Sequence, residues 1–219
     1  MKKSKLKLKT QASDVANALE RVYPEAECAL KWGGESWRLL VMSRLSAQCT
    51  DKKVNAVSVP LFSKYPTPEA MAEADITELE EIIRPCGLYK MKARNIIDSC
   101  QKLVSEYGGV LPSDMDALLS FPGVGRKIAN LLRGDVFGIG GVVTDTHFIR
   151  ICGRLGFYSE DEKNPQKIER IFAPLLDEDR QTDFCHRIVM FGREYCRSQS
   201  PLCDRCPLSE LCERHKKRK

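Results

Sequence analysis

The sequence predicts an all-α protein, on three observations. Apolar residues recur at helical spacing along nearly the whole chain. Glycine and proline punctuate it at short intervals, as in "RPCGLY", "EYGGVLPSD" and "FPGVG". Only "FGIGGVVT" reads as extended, and it is too short to build a sheet. Taken in order, "SDVANALERVYP" opens on a capping serine, Ser13, and sets Val15, Leu19 and Val22 on one face. "ESWRLLVMSRLSAQ" is apolar nearly all round, which suits a helix buried in a core. Further helices are expected over Asp75 to Arg84, Lys90 to Tyr107, Asp114 to Leu119, Arg126 to Arg133, Thr146 to Gly153, Pro165 to Leu176 and Asp183 to Cys196. No internal repeat or long low-complexity linker interrupts them.

At 219 residues and 42% hydrophobic composition, the chain is long enough to bury a core, as one domain or two modest ones. The net charge is +5, concentrated in "MKKSKLKLK" at the start and "RHKKRK" at the end. Such ends either engage a polyanion, most often nucleic acid, or serve as solvated tails. No segment approaches the roughly 18 apolar residues of a membrane span, so a soluble, intracellular (cytoplasmic) protein with no membrane partner is expected. Of ten cysteines, six (Cys28, Cys49, Cys86, Cys100, Cys152, Cys185) stand singly in apolar or helical stretches and read as buried thiols. The other four, Cys196, Cys203, Cys206 and Cys212, form a C-x6-C-x2-C-x5-C cluster. Four thiolates suit either zinc or an iron–sulfur cluster, and a single C-x2-C pair with long flanks tilts slightly away from zinc.

Two stretches carry the chemistry. In "LLSFPGVGRKIANLL" an apolar helix end meets Pro122-Gly123-Val124-Gly125 and a second helix begins near Arg126. The two glycines permit positive φ and close backbone approach, so the new helix's free N–H groups form either a phosphate site or merely a tight turn. Lys127 lies in that helix's first turn beside Arg126; the helix dipole and the neighbouring cation both disfavour its charged form. It is then a nucleophile or, more blandly, a phosphate-binding or solvated lysine. Eighteen residues on, "VVTDTHFIRICGRLG" places Asp145 ahead of a helix whose apolar side is Phe148, Ile151, Cys152 and Leu155. Asp145 is a good N-cap, and a cap fixes a carboxylate as a catalytic group requires. Were the two helices to face each other, the amine and carboxylate could attack an anomeric carbon while stabilising an oxocarbenium-like charge.

These residues resemble the helix-hairpin-helix DNA glycosylases, and within them the endonuclease III family. The resemblance rests on "LSAQCTD" (45–51), "GLYKMKARNI" (87–96), "FPGVGRKIAN" (121–130), "TDTHFIR" (144–150) and the terminal cysteine spacing, in family order across nearly the whole chain. It implies a bilobed helical fold with DNA in the cleft: a helical barrel lobe at 29–139 bearing the hairpin, and a lobe of 1–28 and 140–219 around a [4Fe–4S] cluster. It implies Lys127 as nucleophile and Asp145 as its acidic partner. Gln48 would fill the gap left by an extruded nucleotide, and Leu88 would wedge into the duplex opposite; from the residues alone they read as a helix-terminal polar group and a helix-end contact. Gly123, Gly125 and Arg126 of the hairpin, with Arg197 in the loop "RSQSPL", would meet phosphates, although the arginines could equally be solvated.

Three positions depart from the family pattern: Thr144 where valine is frequent, Ile128 where threonine is common, and Leu119 where some relatives carry a glutamate. The expected activity is that of a monomeric bifunctional glycosylase. It removes oxidised pyrimidines from double-stranded DNA and cuts abasic sites by β-elimination. The alternatives are a monofunctional glycosylase of the same fold and a metal-stabilised DNA-binding module without catalysis.

Overall fold

The computed structural model describes residues 4–217; the outermost residues of both basic ends lie outside the described residues. Among the described residues the regular structure is helical throughout, with twelve α-helices joined by short 3-10 turns. None of these helices is long and apolar enough to cross a membrane. The chain divides into two compact units, Ala29–Phe137 and the remainder, up to Cys28 and from Gly138 onward.

The first helix, α1 (Lys5–Val22), belongs to the second of these units. It starts two turns earlier than the sequence suggests. Ser4, not Ser13, is the cap, its Oγ accepting from the Lys7 N–H at 3.3 Å, and Ser13 sits mid-helix. The lysines and leucines of "KLKLK" are good helix formers, and they continue the helix backward from the fully buried Ala12. The Gln11 amide then donates to the carbonyls of Leu155 (2.8 Å) and Leu211 (3.0 Å), tying α1 to the C-terminal segment.

The unit Ala29–Phe137 is built round α2 (Ser36–Leu45), in which eight of ten residues are buried. That is the outcome of its apolar pattern. Next comes α3 (Asp51–Lys64), a helix the sequence reading passes over because Pro60 interrupts it. Pro60 is exposed, so its missing N–H and ring clash fall on the solvent side while Val54, Val57 and Leu61 face the core. The short α4 (Pro68–Ala72) has Thr67 as cap and proline at its first position. Asp75 caps α5 (Ile76–Ile83), its Oδ1 accepting from the N–H groups of Thr77 and Glu78. A long α6 (Tyr89–Tyr107) packs against α2, α4 and α5. The unit closes with α7 (Met115–Leu119), capped by Asp114, and α8 (Arg126–Phe137).

Past Gly138 the "GIGGVVT" segment runs irregularly into α9 (Thr146–Leu155). It is followed by α10 (Pro165–Phe172), α11 (Glu178–Glu194) and α12 (Glu213–Lys216). Pro174 turns the end of α10 into a 3-10 turn, so the helix expected to reach Leu176 stops at Phe172. In turn α11 begins at Glu178 rather than Asp183, because Glu178 and Asp179 favour a helix N-terminus. The core of this unit is aromatic: Phe148, Phe157 and Phe184 pack round the fully buried Phe172 with ring centroids 5.0–5.1 Å apart.

Candidate active site

The hairpin between α7 and α8 is held from below. Phe121 is buried and stacks on Tyr107 at 5.5 Å, and the Val124 N–H donates to the Phe121 carbonyl at 3.0 Å. Gly123 has φ +65, and an added Cβ would lie 1.9 Å from Nη2 of Arg44. Glycine is thus required twice here, for its backbone conformation and because a guanidinium occupies the space. Gly125 corrects the expectation of two left-handed glycines: its φ is not positive, and a Cβ there would meet no atom within 4 Å. Its carbonyl accepts from the N–H groups of Ile128 and Ala129, which starts α8. The open face over Gly125 leaves room for close approach to the first-turn N–H groups. Arg126 and Lys127 flank that face and are both exposed.

The contrast gives a prediction. Gly123→Ala is expected to lower stability by about 2 kcal/mol, through strain at positive φ and displacement of Arg44. Gly125→Ala is expected to leave the melting temperature nearly unchanged while weakening DNA binding, because its methyl group projects into the approach path. Thermal melts and DNA titrations of the two variants check it; equal loss of stability in both contradicts it.

Gln48 and Leu88, in the same unit, occupy the turns after α2 and before α6. Both are exposed and both have left-handed backbone, with φ 52 and φ 50. Among the described residues only Ser200 shares this among non-glycines. A leucine held in this region while 48% exposed carries backbone strain.

In the other unit Asp145 caps α9 as expected. Its Oδ1 accepts from the Phe148 N–H at 2.7 Å, and among the described residues no hydrogen bond reaches Oδ2. The carboxylate is half-buried, fixed by one oxygen and open at the other. Phe148, Ile151, Cys152 and Leu155 are all buried.

The far end of α9 clamps the cysteine segment. Arg150 donates to the Cys196 carbonyl at 3.0 and 3.2 Å. Arg154, itself buried, donates to Cys196 Sγ (3.3 Å) and to the carbonyls of Arg197 (2.7 Å) and Ser198 (3.0 Å). One helix therefore positions Asp145 at its start and the loop "RSQSPL" at its end. Within that loop Arg197 is exposed, its Nε donating to the Glu194 carbonyl.

Cys196, Cys203, Cys206 and Cys212 line one cavity together with Ile151, Leu155 and Phe191. Burial pushes the Cys206 thiol up to about 11, against the pull of the Leu208 N–H, and the three other thiols raise it further. Cys212 is raised likewise, chiefly by burial, although the N–H groups of His215 and Arg214 point at its sulfur. Four mutually repelling sulfurs with N–H donors aimed at them, in an apolar cavity, form a donor set suited to a positively charged inorganic centre. Of the six scattered cysteines, Cys86, Cys100, Cys152 and Cys185 are buried, and none of the six forms a disulfide.

Among the buried cations that sequence reasoning missed are Arg44, Lys92 and Arg154. The signal was present in each case. Lys92 falls on the stripe of Ile96, Cys100 and Leu103; Arg44 lies in an otherwise apolar helix; Arg154 adjoins Ile151 and Leu155. A basic residue on an apolar stripe marks a buried group that must find acceptors.

Comparison with known proteins places this architecture. The family model of the HhH-GPD superfamily base excision DNA repair protein matches residues 41–178. An endonuclease III from Synechocystis sp. is 40% identical over 93% of this chain and 92% of its own length. Among solved structures, a non-covalent endonuclease III–DNA complex has a TM-score of 0.89 and 40% identity, covering 96% of this chain and 97% of that one. A trapped endonuclease III–DNA covalent intermediate has the same TM-score and identity, covering 96% and 98%. The chain belongs to the HhH-GPD superfamily of base excision DNA repair proteins.

Proposed function

We propose that this chain is a bifunctional DNA glycosylase and abasic-site lyase of base excision repair, acting as a cytoplasmic monomer on duplex DNA with an oxidised pyrimidine or an abasic site. The observation that carries the reading is Lys127, an exposed amine in the first turn of α8 directly behind the glycine hairpin. It belongs to a chain 40% identical to a protein trapped as a covalent DNA intermediate. A covalent link to DNA needs a nucleophile, and a lysine amine that attacks a sugar carbon gives an adduct able to cut the strand.

The steps follow from the residues. The Gly125 face and the N–H groups of α8 take a phosphate, with Arg126 and Arg197 adding charge. Gln48 and Leu88 enter the duplex as the damaged nucleotide leaves it. The Lys127 amine nitrogen bonds to C1′ through its lone pair as the bond from C1′ to the base breaks, and the base leaves with the electron pair. Asp145, with Oδ2 open, stabilises the positive charge that develops on the sugar. One N–H proton of the resulting secondary ammonium passes to O4′ as the nitrogen lone pair forms the C=N bond and the C1′–O4′ bond breaks, giving a ring-opened protonated Schiff base. Loss of a C2′ proton then expels the 3′ phosphate, and hydrolysis of the imine frees the lysine.

Cys196, Cys203, Cys206 and Cys212 would hold a [4Fe–4S] cluster. Held there, it would serve shape rather than chemistry, since the two 3-10 turns of this segment, Cys203–Arg205 and Ser209–Leu211, contain no buried residue. Purified protein is expected to be brown and to hold iron and acid-labile sulfide in equal amounts. Colourless protein with stoichiometric zinc contradicts the assignment. The two units then serve as barrel lobe and cluster lobe.

Labelled duplexes carrying thymine glycol test the activity. Strand cutting without alkali supports this reading. Cutting only after alkali indicates a monofunctional glycosylase, and binding without cutting a non-catalytic module.

A further inference from the structure

Lys92 is only 2% exposed, and among the described residues its electrostatic neighbours are the thiols of Cys49 and Cys86 rather than a carboxylate. Its Nζ donates to three backbone carbonyls, those of Leu45 (2.8 Å), Ala47 (2.8 Å) and Cys86 (2.9 Å). An ammonium has three donors, and all three are used. The acceptors are informative. Leu45 is the last residue of α2, and Cys86 ends the 3-10 turn Arg84–Cys86, so the cation sits at two C-terminal ends where helical carbonyls converge. Ala47 immediately precedes Gln48, and Cys86 precedes Leu88 by two residues. The Lys92 backbone N–H also donates to the Leu88 carbonyl at 3.0 Å. Both strained, exposed residues, Gln48 with φ 52 and Leu88 with φ 50, therefore hang from carbonyls gathered by one side chain.

We propose that Lys92 is a positioning residue that couples the Gln48 and Leu88 turns into one rigid element, so that both enter the duplex together. This rests on the proposed DNA-entering role of those two residues. A left-handed non-glycine costs on the order of 1–3 kcal/mol and persists only where its surroundings over-determine it. Here the over-determination comes from the three-way ammonium clamp. Without the clamp each turn relaxes independently toward ordinary backbone, and the two side chains lose their fixed separation. Burial, which disfavours the charged form of Lys92, makes the clamp costly to assemble. Such a cost is retained where geometry is being held.

The test compares a duplex containing one abasic site with the same strand presented single-stranded. Only the duplex has a gap to fill and an opposite strand to wedge. Lys92→Met, close in length and without charge, is expected to cut the duplex roughly 10²-fold more slowly. On the single strand it should stay within about threefold of wild type. In the Gln48→Ala, Leu88→Ala background the same substitution is expected to slow duplex cutting no further, because the elements it positions are gone.

Lys92→Met cutting both substrates at wild-type rate overturns the proposal. So does equal loss on both, which marks a residue needed only for folding, and so does an additive loss in the double-alanine background. A wild-type chain that cuts neither substrate overturns the activity itself, and the positioning role with it.

Discussion

Lys127→Gln is expected to abolish strand cutting on thymine glycol and abasic duplexes, lowering the rate by roughly 10³-fold or more, and to eliminate the adduct trapped by borohydride. The side chain is exposed in the first turn of α8, where glutamine is also a good helix former. Stability should therefore change by no more than about 0.5 kcal/mol. Affinity for abasic duplex should survive, because the N–H groups behind Gly125 and the charge of Arg126 remain. Intact melting, near-native binding and no adduct together isolate the chemical role of the amine. A persisting adduct would transfer the nucleophile to another residue.

The second large effect belongs to Asp145. Asp145→Asn keeps the cap on α9, since asparagine caps as well as aspartate and the Phe148 N–H still finds a side-chain oxygen. What it removes is negative charge at Oδ2. Single-turnover cutting is expected to fall roughly 10²- to 10⁴-fold, while the melting temperature falls by only about 1–4 °C through the lost charge–dipole interaction. Asp145→Ala separates the two roles from the other side, since it also loses the cap and about 1 kcal/mol of stability with it. An asparagine variant with wild-type rate would reduce Asp145 to a cap.

The helical class and several helix limits were legible because they depend on local chemistry. Asp145 caps its helix as read, the helices expected from Asp75 and Asp114 begin within one residue of them with those aspartates as caps, and the all-round apolar α2 is buried as its pattern requires. What escaped the sequence depends on tertiary compensation. Pro60 is tolerated in α3 only because its side of the helix faces solvent, and α1 runs back past Ser13 through the buried Ala12 to a cap at Ser4. The difference between Gly123 and Gly125 was equally invisible. It is decided by Arg44, which is distant in sequence and fills the space that a Cβ at Gly123 would need.

The candidate site divides in the same way. Lys127, Asp145 and the four cysteines stand out by residue type and spacing, as chemistry demands particular atoms. The groups that hold them in place are less visible. Arg154 reaches Cys196 and its loop from α9, and Lys92 gathers carbonyls from two turns 41 residues apart in sequence, Leu45 and Cys86. Both lie inside stretches the sequence marks out, but the carbonyls and sulfur they reach come from segments far away in sequence, which residue type alone does not reveal.

The most direct test of the account is the location of the covalent link. Wild-type protein is reacted with an abasic duplex in the presence of borohydride, digested, and examined by mass spectrometry for the peptide carrying the reduced sugar. The expected result is a single modified lysine, Lys127. Modification at any other lysine, or strand cutting with no trapped peptide, would contradict the Schiff-base chemistry assigned to the hairpin helix.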